Sequence, residues 1–151
     1  MWLLNLAFYF VMALIIYTDY LDSEIWDIHI VAGFILMALK RFMEESITDG
    51  LIGAGSAFMF HYLIYRCAKS FYKKEAYGLG DVLLFSLVGA YLGRSFFLYQ
   101  FWFSMVSGIL FGCYMLIKGK DANIYMPLAP LIAAVLVFYD ILGLPGWELF
   151  R

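Results

Sequence analysis

Apolar residues along this chain fall into six runs that are separated by short polar stretches. The runs cover about residues 2–18, 25–39, 47–66, 80–93, 96–117 and 124–144. A helix needs roughly 20 apolar residues to cross a bilayer, and the first, third, fifth and sixth runs approach that length. The pattern therefore predicts an all-α, polytopic integral membrane protein with about six transmembrane helices.

The second and fourth runs are shorter than the others. Their uninterrupted parts, 28–39 and 82–93, would form helices of about 18 Å, well below the ~30 Å of a hydrocarbon core. Each part begins just after an acidic residue, Asp27 or Asp81. Because charge at membrane depth needs a cavity or a protein wall, we expect one polar recess near these two helix starts.

Composition supports a lipid environment for the whole chain. Of the 151 residues, 65% are hydrophobic, and the mean hydropathy is +0.85. This apolar surplus exceeds what one small core can bury. A net charge of −2 gives no indication of a nucleic-acid partner. We expect a single membrane domain over residues 1–151, with no separate soluble domain.

Basic residues predict the orientation, since cytoplasmic loops carry an excess of Lys and Arg. With six spans, one side holds six of them and the other holds four. The richer side comprises Arg66, Lys69, Lys73, Lys74, Lys118 and Lys120, and the poorer side Lys40, Arg41, Arg94 and Arg151. The first set predicts the cytoplasmic face of an inner membrane, and the polar recess would open to that face.

Two aspartates in this recess are candidates for chemistry. Asp19 ends the first run and Asp81 opens the fourth, so both fall at the same membrane face. Two carboxylates that lie within a few ångströms cannot both ionise and would share one proton. Such a pair can activate water and protonate a scissile carbonyl, as in an aspartic protease. We expect Asp81 to be the ionised partner, since it lies near a helix N-terminus, and Asp19 the protonated one.

Two glycines precede the second aspartate, in the sequence GLGD at 78–81. Gly78 and Gly80 lack side chains that would keep an extended peptide from reaching Asp81. The sequence therefore predicts that they contribute to substrate binding. As an alternative, Asp81 is simply an interfacial cap of the helix that follows.

The sequence GLGD resembles the GxGD motif of intramembrane aspartyl proteases. The chain as a whole resembles the type IV prepilin peptidase family, including its preflagellin peptidase relatives. In that family an aspartate ends the first span, and a stretch closing in Ile-Pro-Asn or Ile-Pro-Asp follows; here Asp19 precedes Ile25-Trp26-Asp27. A late block, typically Pro-Phe-Gly-Pro, is similar to Pro127-Leu128-Ala129-Pro130.

This resemblance implies an aspartyl endopeptidase that removes the short basic leader from type IV pilin-like or preflagellin-like precursors. Asp19 and Asp81 match the catalytic positions of the family, which requires no metal or other cofactor. Two positions depart from the pattern: Trp26 replaces a proline, and Leu83 stands where GxGDxK has lysine. Only 18 residues precede Asp19, so we expect a peptidase without the methyltransferase region of many bacterial members.

An acidic stretch follows the first aspartate and contains Asp22, Glu24 and Asp27, with no basic residue between them. It has two interpretations: a solvated loop, or a binding surface for the basic residues of a pilin leader. The function also has alternatives. The chain could be an inactive assembly or scaffold subunit that keeps the family fold. A small transporter is a third alternative. It would require charges near the membrane midplane, whereas these acids lie at one edge of the membrane.

Overall fold

The computed structural model describes residues 2–22, 25–71, 78–118 and 128–143. They form six α-helices, one within each of the predicted runs or overlapping it, and none of the described residues is in a β-strand. The helices are α1 Trp2–Asp22, α2 Asp27–Met43, α3 Ile47–Phe71, α4 Leu79–Leu92, α5 Phe96–Lys118 and α6 Leu128–Ile141. The all-α prediction is therefore confirmed.

Helix α4 lies at the centre of the bundle. It contacts α2, α3, α5 and α6, and most of its residues are buried. A helix that is apolar on every side is typical of the core of a helix bundle or of a membrane span. This central position explains why the fourth run is apolar throughout although it is short.

Glycines bring α3 and α4 into close contact. A Cβ atom added at Gly89 would overlap the carbonyl oxygen of Gly53 and lie 2.8 Å from the Cβ of Ala57. Small residues allow this approach of two backbones. By contrast, a Cβ at Gly108 or Gly112 of α5 would meet no described atom within 4 Å.

A sharp bend separates α4 from α5 and is held by a charged network. Gly93 begins a short 3-10 turn, Gly93–Ser95, with a φ of 62°, which favours glycine. Arg41 at the end of α2 donates to the carbonyl oxygen of Ala90 at 3.0 Å and pairs with Asp49 at 3.3 Å. Asp49 also pairs with Arg94 at 3.4 Å. We call this end of the bundle the Arg41 end.

The outer surface of the bundle carries many large apolar side chains. Examples on different helices are Phe10, Ile35, Leu63 and Phe101, each about half exposed or more. Two helical stretches, Trp2–Asp22 and Leu79–Cys113, are long and apolar enough to cross a membrane, and the second contains the bend at Gly93. The number of membrane crossings stays a prediction.

Candidate active site

Asp19 lies in the last turns of α1 and faces the interior of the bundle. Its side chain is buried because it lies on the same face of α1 as the buried residues Met12 and Ile15. The carboxylate oxygen Oδ2 accepts a hydrogen bond from the backbone N–H of Ala129 at 3.2 Å. Ala129 is the second residue of α6, and the first N–H groups of a helix have no partner within the helix. The start of α6 therefore gives the buried carboxylate of Asp19 a donor.

Asp81 lies in the first turn of α4 and is partly buried. Its Oδ2 accepts a hydrogen bond from the backbone N–H of Gly78 at 3.2 Å, which is the backward half of a capping box. The interpretation of Asp81 as a helix cap thus describes a real contact. That contact engages one carboxylate oxygen and fixes the orientation of the group at the entrance of α4.

The two aspartates lie at the same end of the bundle, which we call the Asp19 end. Asp19 is three residues from the end of α1, and Asp81 is the third residue of α4. Ile25, just before α2, lies against Gly80 in α4, and Ala129 lies against Asp19. The end of α1 and the starts of α2, α4 and α6 therefore meet around the pair.

Such an arrangement can perform general acid–base chemistry. Since two neighbouring carboxylates favour sharing one proton, one of them can accept a proton from water while the other donates to a carbonyl oxygen. Each aspartate is oriented by one backbone N–H, from Ala129 or Gly78. Among the described residues, no group of three or more His, Cys, Asp or Glu side chains is placed to hold a metal ion.

Gly78 and Gly80, which the sequence predicts to bind substrate, have different neighbours. A Cβ at Gly80 would lie 3.2 Å from the Cβ of Ile25, tighter than ordinary packing, so this position has a structural reason to be glycine. A Cβ at Gly78 would lie 3.4 Å from Oδ2 of Asp81, which is ordinary contact. A role of these glycines in substrate binding stays a prediction.

The acidic stretch is described only in part. Asp22 ends α1 and Asp27 begins α2, and both are exposed at the Asp19 end. Glu24 lies outside the described residues, as do Pro127 and Lys73. Trp26, at one of the two departures from the family pattern, is half exposed. Its ring is parallel to that of His29, and the two ring centroids are 5.8 Å apart. Leu83, at the other, packs against the hydrophobic core.

The sequence did not identify two contacts of the site. The resemblance drew attention to the block around Ala129, but nothing in the residue type marks its N–H as a donor to Asp19. The contact between Ile25 and Gly80 was also missed. A glycine directly before an aspartate is the available signal for close packing, and it does not identify the partner.

A second polar cluster lies toward the Arg41 end. Asp140 of α6 accepts hydrogen bonds from the hydroxyl groups of Tyr9 in α1 and Tyr91 in α4, the latter at 2.7 Å. The ammonium group of Lys40 lies 4.2 Å from the centre of the Tyr91 ring. Asp140 is exposed, and its hydrogen bonds link α6 to α1 and α4.

Comparison with known proteins identifies related sequences. Residues 6–113 match the model of the type IV leader peptidase family. The chain is 29% identical over 102 residues to a prepilin leader peptidase/N-methyltransferase of Haemophilus influenzae, and 34% identical over 91 residues to one of Bacillus subtilis. These alignments cover 66% and 60% of this chain, but only 43% and 35% of the relatives. No solved structure matches the chain.

Proposed function

Since the chain belongs to the type IV leader peptidase family, we propose that it is an aspartyl endopeptidase acting on type IV pilin-like or preflagellin-like precursors. It would remove their short basic leader at the cytoplasmic face of the inner membrane. Asp19 and Asp81 would be the catalytic pair, one activating water and the other protonating the scissile carbonyl. The family and the two relatives, which are prepilin leader peptidases, support this substrate class.

The observation that carries this proposal is the meeting of Asp19 and Asp81 at one end of the bundle. They are 62 positions apart in the sequence (81 − 19), and α1 and α4, which carry them, both pack against α2 and α6. Burial of acidic groups in a membrane-type helix bundle is unfavourable, so such a pair marks a functional site by default. Each carboxylate also has a backbone N–H that orients it.

A bilayer setting is part of the proposal. All six helices would cross or enter the membrane, with α4 shielded at the centre and the large apolar side chains of the outer surface facing lipid. The Asp19 end would face the cytoplasm, because Arg66 and Lys69 near the end of α3 lie toward that side. This orientation puts the carboxylate pair where the basic leader of a precursor would be.

One observation favours a second candidate, an inactive scaffold subunit that keeps the fold. Asp81 caps α4 through Gly78, so its presence has a structural explanation that needs no catalysis. Leu83, at the position of the family lysine, packs against the core. The scaffold and the peptidase make opposite predictions for the cleavage of a precursor.

The test is co-expression with a type IV pilin-like precursor, in which leader loss is scored by gel shift and mass spectrometry. Wild type should cleave, whereas Asp19→Asn and Asp81→Asn should each be inactive at normal membrane levels. Glu45→Gln, an exposed acid at the other end of the bundle, is the matched control and should cleave normally. Cleavage by both aspartate variants would refute the catalytic assignment, and an uncut precursor with wild type would favour the scaffold.

A further inference from the structure

An open groove runs along the outside of the bundle between α1 and α6. It has a volume of about 580 Å³ and is mostly apolar. Its α1 side is formed by Asn5, Tyr9, Met12, Ala13 and Ile16, and its α6 side includes Ala133, Val137, Asp140 and Ile141. Both rows repeat at intervals of three to four residues, so each is one continuous face of its helix.

The same two faces continue into the candidate active site. Asp19 follows Ile16 at a spacing of three on α1, and Ala129 precedes Ala133 at a spacing of four on α6. These continuations meet directly, since the N–H of Ala129 donates to Asp19 at 3.2 Å. An occupant of the groove would therefore end about one turn of α1 away from Asp19, whose side chain faces the interior of the bundle.

We propose that this groove, the α1/α6 groove, is the docking site for the apolar helix of the precursor. This inference rests on the proposed function. The helix would lie beside α1 with its leader end toward Asp19 and its other end near Asn5. The distance from Asn5 to Asp19 along α1 is about 21 Å, which matches roughly 14 residues of a docked helix.

The shape of the groove favours a helix over a lipid chain. Ala13 and Ala133 are its smallest side chains, and small residues allow a helix backbone to approach closely.

Photo-crosslinking tests the location of the precursor. A benzoylphenylalanine replaces Val137, which lines the groove, or its neighbour Phe138, which does not line it although it is 52% exposed. The Asp81→Asn background would retain an uncut precursor. We expect Val137→benzoylphenylalanine to crosslink to the apolar helix of the precursor, and the Phe138 variant to do so at least about tenfold less. Equal yields, or crosslinks from position 137 only to lipid or within the chain itself, would overturn the proposal.

Filling the groove tests its use in the reaction. Ala13→Trp places a large side chain in the groove, and Ala134→Trp changes an exposed alanine outside it. With both variants at normal membrane levels, Ala13→Trp should raise the apparent Michaelis constant for the precursor about tenfold, and Ala134→Trp should leave it unchanged. If wild type cleaves and the two variants behave alike, the docking inference fails alone. If wild type does not cleave, the proposed function fails as well.

Discussion

The carboxylate of Asp19 accepts a hydrogen bond from the backbone N–H of Ala129, 110 residues later in the chain. Asp19 lies in the last turn of α1 and Ala129 is the second residue of α6, so this contact joins the end of the first helix to the start of the last. Loss of the Ala129 N–H would leave a buried oxygen of Asp19 without its donor, which costs about 1–3 kcal/mol. Orientation of Asp19 thus depends on the position of α6.

Removing that N–H should therefore reduce catalysis. Ala129→Pro deletes the donor at a position in the first helical turn where proline is tolerated. We expect kcat for precursor cleavage to fall about 10- to 100-fold. Ala129→Gly keeps the N–H and is the control, so it should retain most of the activity. If the proline variant cleaves at the wild-type rate while keeping its thermal stability, Asp19 does not depend on this contact.

Substitutions at Gly80 can separate packing from substrate access. Gly80→Ala would bring a Cβ to 3.2 Å from Ile25, and α4 would have to shift at its start. We expect lower activity, which the second change Ile25→Gly should partly restore, because it removes the opposing side chain. Ile25→Gly alone should keep its activity per folded protein, but at lower stability, because Ile25 packs against the hydrophobic core. A failure of rescue would indicate that the space beside Gly80 serves the substrate instead.

Exposed acids at the Asp19 end are predicted to attract a basic leader. Replacing Asp22 and Asp27 with asparagine should raise the apparent Michaelis constant by a few fold for leaders rich in Lys and Arg. The effect should weaken at high salt, because exposed charges are screened. The check is to measure the apparent Michaelis constants of wild type and the variant for leaders of different charge. Glu45→Gln, at the opposite end of the bundle, is the control. If wild type and the variant had the same Michaelis constant for every leader, the acidic stretch would be only a solvated loop.

Close packing of α3 on α4 predicts different outcomes for two glycine substitutions. Gly89→Ala would force the new Cβ against the carbonyl of Gly53 and should destabilise the bundle by about 1–3 kcal/mol. Gly108→Ala meets no described atom within 4 Å and should be neutral or slightly stabilising. Thermal unfolding of both purified variants in the same detergent compares them. Equal midpoints would show that α3 and α4 can separate without loss of stability.

Local pattern was enough to locate the helices. Each apolar run contains or overlaps a helix, and the short fourth run is the central α4. The family was also identified from the sequence, since GLGD and the aspartate at 19 occur in the expected order. The absence of a methyltransferase activity and the number of membrane crossings stay predictions.

Boundaries and helix neighbours were predicted less well. The second run was expected to be short, yet α2 extends to Met43, because Lys40 and Arg41 find partners in Glu44, Asp49 and Tyr91. Gly108 and Gly112 of α5 have the four-residue spacing that is typical of helix packing, but no described atom lies within 4 Å of a Cβ added at either position. Spacing shows that a close approach is possible, and only a neighbouring helix makes it happen.

By itself the sequence determined what each segment is: an apolar helix, a glycine pair, or an acid at a helix end. These properties depend on neighbouring residues, because hydrophobic burial and helix formation act on continuous stretches of chain. Tertiary structure decided which acids meet and which backbone groups orient them. The contacts of Asp19 with Ala129 and of Gly80 with Ile25 depend on how separate helices pack, and helix packing depends on many side chains at once.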